Sequence, residues 1–109
     1  MGGSQAVSLE SCYRVIAAHL LKASFQPERP TRGRQVTIVR ERSSAQSCLQ
    51  VSPSLKPRRS EVFEGAYRQA RKLAAAETGL PPKTFPVEPP FTLDELSRED
   101  HTPGQAPQA

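Results

Sequence analysis

The stretch SLESCYRVIAAHLLKAS, residues 8–24, decides the fold class because its large apolar residues recur at helical spacing. They follow steps of four, three and four residues, which places them on one face of an α-helix. The residues on this face are Leu9, Tyr13, Ile16 and Leu20. Ser8 is a suitable N-cap, and Pro27 is expected to end the helix, because the residue before a proline avoids the helical conformation. The stretch therefore predicts a helix over residues 8–24.

Residues 31–50 predict a second helix, with Thr31 as its N-cap. Its predicted face carries Ile38, then Arg42 as a polar interruption, then Ala45 and Leu49. The β-branched run VTIV at residues 36–39 would also suit a short strand. We favour the helix, because the apolar spacing continues to Leu49 and no partner strand is visible in the sequence.

A third helix is predicted over residues 54–78, with Ser52 or Ser54 as its N-cap and Gly79 as its end. The prolines just before it are tolerated because they fall in its first turn. The face expected to pack inward consists of Val62, Phe63, Ala66, Ala70, Leu73, Ala74 and Glu77.

The C-terminal part predicts a proline-rich connector over residues 80–90, anchored by Leu80 and Phe85. A short helix over residues 92–97 should follow. Its expected cap and staple pairs are Thr92 with Glu95 and Phe91 with Leu96. Residues 98–109 hold nothing apolar enough to bury and are predicted to be a disordered tail.

Together these elements predict an all-α fold, a small helical bundle in a single domain over residues 1–97. Leu, Ile, Val and Phe supply about one fifth of the 109 residues, 11 residues are proline and tryptophan is absent, so we expect a small core. No apolar run is long enough to predict a membrane span. The start MGGSQAVSLES lacks the features of a signal peptide.

The charge is unevenly distributed. Residues 22–72 hold 12 Lys and Arg against 4 acids, whereas residues 73–109 hold 2 against 6. The basic segment over 29–59 could contact nucleic acid without sequence preference. Its candidate contacts are Arg29, Arg32, Arg34, Arg40, Arg58 and Arg59. Such binding should be weak, because stacking aromatics are scarce and no nucleic-acid-binding signature occurs. The plainer interpretation is a set of solvated helix faces.

His19 is the side chain that most invites a catalytic or metal-binding interpretation. Neither interpretation gains support from its neighbours, because Glu10 and Cys12 form no ligand or base pattern with it and His101 lies in the tail. We expect a structural histidine whose charge is tolerated near the helix C-terminus. No catalytic motif, metal site or cofactor is predicted. Cys12 and Cys48 are expected to be reduced, packed thiols, with a disulfide between them as the lesser alternative.

Seven short motifs occur in order along residues 9–97: HLLK, QPE, T-I-x-x-E-R, SPSL, Y-x-x-A-R-x-x-A-x-x-E-T-G-L, FP and PFTLDEL. Together they resemble a bacterial family called domain of unknown function number 29. The motif positions are His19, Leu20, Leu21, Lys22, Gln26, Pro27, Thr37, Ile38, Arg42, Ser52, Pro53, Ser54, Leu55, Tyr67, Ala70, Arg71, Glu77, Thr78, Gly79, Phe85, Pro86, Thr92 and Leu93. We interpret them as structural.

The resemblance implies a small, all-helical, cytoplasmic protein, and it implies no activity or cofactor. Members of that family usually carry a further helical segment before HLLK and tryptophans where this chain has Ala23 and Gly33 or Arg34. Pro89 stands where those members often have cysteine. The chain therefore resembles an N-terminally shortened member, and we expect an incomplete bundle with exposed apolar helix faces.

Exposed helix faces favour a non-enzymatic protein-interaction module, whose partner would be another protein or a second copy of the chain. A role in a small stress or toxin–antitoxin-like system would fit the size and the basic charge. The alternative function is the weak nucleic-acid binding described above.

Overall fold

The computed structural model describes residues 2–25 and 32–97. Its three long helices are α1 (Gly2–Phe25), α2 (Arg32–Val51) and α3 (Arg59–Thr78). Two 3-10 turns, Pro53–Arg58 and Pro82–Thr84, flank α3, and the short helix α4 is Leu93–Ser97. The predicted all-α bundle of three longer helices and one short helix is confirmed, and the described residues contain no strand.

Some predictions lie outside the described residues. They concern Gln26, Pro27, Arg29, the proposed cap Thr31 and the tail over 98–109.

α1 is the central helix, because both α2 and α3 pack mainly against it. The predicted face of α1 is fully buried, and so are Ala17, Ala18 and Leu21 beside it. Burial therefore extends around both sides of the helix. Such a position requires an apolar helix, and this part of the chain is its most continuously apolar stretch.

α1 begins at Gly2 rather than at the predicted Ser8. Ser8 therefore lies within the helix and is not its N-cap. No proline interrupts the preceding residues, and Ala6 packs against the core, so the helix continues beyond its first large apolar residue. α1 ends at Phe25, close to the predicted position.

α2 resolves the choice between helix and strand in favour of the helix. Ile38 and Ala45 are buried as predicted, and Leu49 packs partly against the core. Arg42 lies on the same face and is only 2% exposed. One side of α2 thus faces α1.

The segment before α3 differs from the prediction. Residues Pro53–Arg58 form a 3-10 turn, and the α-helix begins only at Arg59. Pro57 has no N–H and restricts the residue before it, so regular α-helical bonding starts after this proline. The side chain of Ser52 makes no capping bond, and the Ser52 carbonyl instead accepts the Leu55 N–H at 3.0 Å. The predicted serine N-cap is therefore wrong.

The buried face of α3 follows its alanines. Phe63, Ala66, Ala70 and Ala74 are buried as predicted, and Tyr67 is buried with them. Glu77 is exposed, so its predicted place on the inward face is wrong. Gly79 ends the helix with a φ of 76°, and its N–H donates to the Ala75 carbonyl at 2.9 Å. The predicted glycine stop is confirmed.

The proline-rich connector is fastened to α3 by side chains. The Tyr67 hydroxyl donates to the Pro86 carbonyl at 2.6 Å. Arg71 donates to the Phe85 carbonyl through Nε at 3.2 Å and Nη2 at 2.9 Å. Phe85 is buried, as predicted for an anchor, and its ring meets Phe25 edge to face. These bonds replace the regular structure that the prolines prevent.

α4 begins with the predicted capping box. The Thr92 N–H donates to Glu95 Oε1 at 2.9 Å, and the Glu95 N–H donates to Thr92 Oγ1 at 3.1 Å. Phe91 and Leu96, at the staple positions, are both buried. The helix starts at Leu93, one residue after its cap.

The other end of α4 is held by two arginines. Arg42 Nε donates to the Leu96 carbonyl at 2.9 Å, and Arg42 Nη2 donates to the Glu95 carbonyl at 3.3 Å. Arg59 Nη2 donates to Ser97 Oγ at 3.0 Å. The last carbonyls of a helix lack intrahelical donors. The buried Arg42 supplies hydrogen-bond donors to two such carbonyls of this five-residue helix.

Replacing Arg42 by Met should destabilise the protein, because the Leu96 and Glu95 carbonyls lose their charged donor. We expect the free energy of unfolding to fall by about 3 kcal/mol. Urea denaturation followed by circular dichroism measures the loss. Arg68→Met, at an exposed position of α3, is the matched control and should change the value by less than about 0.5 kcal/mol. Equal losses would mean that Arg42 does not hold α4.

Alanine substitutions at Gly65, within α3, and at Gly79, at its C-terminal end, should change the stability of the protein in opposite directions. Gly79→Ala forces a side chain into the left-handed conformation and should cost about 1 kcal/mol. Gly65→Ala places its Cβ 3.8 Å from Arg68 Nη2, an ordinary contact, and should stabilise the helix by up to about 1 kcal/mol. Thermal unfolding of both variants checks the signs. Stabilisation by Gly79→Ala would contradict the left-handed conformation of Gly79.

Candidate functional site

A polar cluster joins the three long helices at one end of the bundle. We use this name for His19 and Lys22 of α1, Arg34 of α2 and Glu77 of α3. Lys22 Nζ lies 2.5 Å from Glu77 Oε1, and the charges of Lys22, Arg34 and Glu77 all act on the His19 imidazole. The structure thus brings the HLLK motif together with the glutamate of the α3 motif. It also adds Arg34, which the sequence placed only in the basic segment.

His19 is half-buried, and its Nδ1 atom is buried without a hydrogen-bond partner in the described part of the chain. Burial lowers the pKa of the imidazole below 6.5, and the positive charges of Lys22 and Arg34 lower the pKa further. Glu77 acts in the opposite direction with a smaller effect. The imidazole is therefore neutral at neutral pH. Desolvation and the two cations thus act against the charge that the sequence led us to expect near this helix end.

Lys22 and Glu77 form the ion pair of the cluster. The Lys22 side chain is 15% exposed, whereas that of Glu77 is 45% exposed. The more exposed partner, Glu77 of α3, thus pairs with a lysine of α1 that is largely buried. Glu77, which follows the apolar spacing of α3, thus makes an ion pair with α1 instead of entering the core.

The surroundings of His19 offer no metal site. Within residues 2–25 and 32–97, no three His, Cys, Asp or Glu side chains are grouped to hold a metal ion. Glu10 and Cys12, the residues of α1 that the sequence offered as possible partners of His19, interact with other residues. Glu10 Oε2 lies 3.5 Å from Arg14 Nη1, and Cys12 interacts with Glu41 of α2.

Cys12 and Cys48 are unpaired thiols on α1 and α2, and both are buried. They are close enough to interact electrostatically. Burial raises the pKa of the Cys12 thiol to about 12, and a hydrogen bond with Glu41 contributes to the rise. The burial of Cys12 without a disulfide agrees with the predicted packed thiol. Because the thiolate is the reactive form, the raised pKa also makes Cys12 a thiol of low reactivity.

The α2 outer face is the second notable region, and we define it as the exposed residues from Gly33 to Val51. Its members are Gly33, Gln35, Val36, Val39, Arg40, Ser43, Ser44, Gln46, Ser47, Gln50 and Val51. Of these 11 residues, Arg40 is the only charged one. Val36 and Val39 lie one turn apart and are 49% and 55% exposed. The sequence predicted exposed apolar helix faces without locating this one, although the absence of charged residues between positions 43 and 51 was a signal for it.

The exposed side of α3 provides a comparison. Its eight exposed residues are Ser60, Glu61, Glu64, Arg68, Gln69, Lys72, Ala76 and Glu77. Five of these eight are charged, which is the composition of an ordinary solvated helix face. The α2 outer face thus differs from another long helix of the same protein.

The predicted nucleic-acid contacts have different surroundings. Arg40 is exposed on the α2 outer face, and Arg34 belongs to the polar cluster. Arg58 is exposed and lies 3.5 Å from Glu61. Arg59 is half-buried, and its Nε donates to the Tyr13 hydroxyl at 3.2 Å. Arg29 and the side chain of Arg32 lie outside the described residues.

The other motif positions are spread over the fold. Those that are buried are Leu20, Leu21, Ile38, Arg42, Leu55, Tyr67, Ala70 and Phe85. Those that are half-buried are Thr37, Ser52, Arg71, Thr78, Pro86 and Leu93. Pro53, Ser54, Gly79 and Thr92 are exposed. Their structural interpretation is clearest for Arg42, Tyr67 and Arg71, which bind backbone carbonyls.

A comparison with known families gives one match. The model of the family described as "Domain of unknown function DUF29" matches residues 1–102. No curated protein and no solved structure matches the chain. Among the described residues, no helix is long and apolar enough to cross a membrane.

The lowered pKa of His19 predicts how stability depends on pH. The unfolded chain binds a proton near pH 6.5 more readily than the folded protein does. The stability contribution is therefore complete above the unfolded pKa and is lost as pH falls toward the folded pKa. Between about pH 7.5 and about pH 5.5, the native sequence should lose more free energy of unfolding than His19→Gln. His101→Gln, the control, should keep the native loss, and equal losses in all three proteins would contradict the prediction.

Proposed function

The chain belongs to the family described as Domain of unknown function DUF29, and we propose that it serves as a protein-interaction module that binds through the α2 outer face. The observation that carries the proposal is the composition of this face. One charged residue among 11 exposed ones is unusual for a solvated helix. Depletion of charge is also what distinguishes the core of a protein interface from the rest of the surface.

The packing of α2 supports the same function. Its inward side, with Ile38, Ala45 and Cys48, is buried in the core. Its other side carries Val36 and Val39, which the described residues leave half-uncovered. A second helix laid along this side would bury both valines and give α2 apolar neighbours on two sides. Burial of that apolar area would favour association.

The small residues of the α2 outer face favour a helical partner. Ser43, Ser44 and Ser47 are exposed in the second half of α2. The distance between packed helices depends on the side chains at the contact, so these serines allow a close approach. The glutamines at 46 and 50 supply hydrogen bonds at the edges of such a contact.

The charge of the face defines the partner further. Arg40 is exposed, and no acidic residue is exposed between Gly33 and Val51. A partner helix with an apolar stripe and an acidic residue beside it would meet Val36, Val39 and Arg40 with complementary chemistry. We therefore propose a protein partner that presents an amphipathic, acidic helix.

A photo-crosslinking experiment tests the proposal. A photoreactive amino acid replaces Val39 on the α2 outer face or, as the matched control, Gln69 on the charged face of α3. Both positions are exposed on long helices. After irradiation in cells of the source organism, we expect a discrete protein adduct from position 39 and none from position 69. The adduct should disappear when Arg40 is also replaced by Glu.

The outcomes separate the possible partners. Mass spectrometry of the adduct should identify a protein segment with an acidic, amphipathic helical pattern. An adduct with a second copy of the chain would replace the acidic partner by self-association. A nucleic-acid adduct would favour the alternative function of the basic segment, and equal adducts from both positions would contradict a specific surface.

A further inference from the structure

We propose that Arg59 is the centre of a binding site for a phosphate group, with Lys56 and the Tyr13 hydroxyl as its other donors. These three residues, which we call the Arg59 site, belong to α3, to the 3-10 turn before it and to α1. None of them belongs to the α2 outer face. A phosphate site at this place is therefore independent of the proposed protein-interaction function.

The positive charge of Arg59 has no acidic partner within residues 2–25 and 32–97. Arg59 is half-buried, and its guanidinium donates to two hydroxyl oxygens. Its Nε donates to the Tyr13 hydroxyl at 3.2 Å, and its Nη2 donates to Ser97 Oγ at 3.0 Å. The ion pairs of this part of the chain join other residues. Because hydroxyls are neutral and a partly covered charge is screened less by solvent, the guanidinium favours an anion beside it.

The Tyr13 hydroxyl supplies a second, independent observation. Tyr13 is 0% exposed, and its oxygen accepts the bond from Arg59, but its own hydrogen has no acceptor among the described residues. The other tyrosine shows the usual arrangement, because the Tyr67 hydroxyl donates to the Pro86 carbonyl at 2.6 Å. Unmatched polar groups in a protein interior are rare, and each one asks for a bound group or water. A phosphate oxygen beside Arg59 would accept the hydrogen of Tyr13.

Lys56 brings a second positive charge to the same side of the chain. It lies three residues before Arg59, in the turn Pro53–Arg58, and its carbonyl accepts the Arg59 N–H. Side chains three residues apart in a 3-10 turn are eclipsed, so the exposed ammonium group of Lys56 can reach an anion held by Arg59. Arg59 is also the first residue of α3, where the helix dipole disfavours a cation and favours an anion.

The charge of the Arg59 site selects a dianion. Lys56 and Arg59 contribute two positive charges, and neither has an acidic partner in the described part of the chain. The neighbouring Arg58 lies 3.5 Å from Glu61, so that pair adds no net charge. A phosphate dianion would neutralise both cations, whereas a carboxylate would leave one of them. Its three terminal oxygens can accept from the guanidinium, the ammonium and the hydroxyl together.

The two tyrosines of the chain allow a direct test by nuclear magnetic resonance. Their ring signals are assigned with Tyr13→Phe and Tyr67→Phe variants of the full chain. Inorganic phosphate is added at about pH 7.5, where it is largely a dianion, and at constant ionic strength. Acetate and a short single-stranded oligonucleotide without a terminal phosphate are added in parallel titrations. We expect phosphate to shift the Tyr13 signals saturably and to leave the Tyr67 signals unchanged, and we expect neither other probe to shift Tyr13 at the same concentration.

Variants distinguish a built site from general electrostatics. Arg59→Gln should weaken phosphate binding at least about tenfold, as expected for the loss of a charge-assisted hydrogen bond. Arg68→Gln, at an exposed position of α3, is its control and should leave the binding unchanged. Because Arg59 also contacts the C-terminal segment, Lys56→Gln is the variant that tests the site without disturbing the fold, and it should weaken binding about threefold. Lys83→Gln, at an exposed lysine of the other 3-10 turn, is its matched control.

Several results would overturn the proposal. An absence of saturable Tyr13 shifts with phosphate would mean that water accepts the Tyr13 hydrogen. Equal effects of Lys56→Gln and Lys83→Gln would show a nonspecific attraction of anions. Acetate binding as tight as phosphate binding would contradict the selection of a dianion. Shifts of Tyr13 with the oligonucleotide but not with phosphate would replace a small phosphate compound by a nucleic-acid backbone.

Discussion

The burial of α1 on both sides is the constraint on which the rest of the structure depends. The chain has few large apolar residues, and the central helix α1 supplies five of the eight largest fully buried side chains. α2 and α3 can then pack with one face each, and those faces consist largely of alanines and a few larger residues. This arrangement builds a core from little apolar material. It also leaves the far sides of α2 and α3 free to differ, one poor in charge and the other rich in it.

Three arginines hold α4 and the proline-rich connector against the rest of the protein. Arg42, Arg59 and Arg71 bind polar groups of α4 and the connector, in addition to the burial of Phe85, Phe91 and Leu96. In the sequence, Arg59 belonged to a basic segment that suggested nucleic acid. In the fold its guanidinium joins Tyr13 of α1 to Ser97 of α4. Part of the positive charge of the chain therefore serves to stabilise the C-terminal segment.

The two candidate regions differ in chemistry. The polar cluster is a meeting of charged groups around a neutral histidine, whereas the α2 outer face has little charge and two exposed valines. The low charge of the α2 outer face is the feature on which the proposed protein-interaction function depends. Different residues form the two regions.

The sequence by itself determined the helices, because helix periodicity, proline positions and capping patterns are local properties. It placed the face of α1, the glycine stop at Gly79 and the capping box at Thr92 correctly. It misplaced the start of α1 and the caps before α3, where weak local signals compete with packing. Only the tertiary structure decided that α1 is central, that Arg42 caps α4 and that Lys22 meets Glu77. These contacts join residues more than fifty positions apart, and no local pattern encodes which distant charge or carbonyl a side chain will reach.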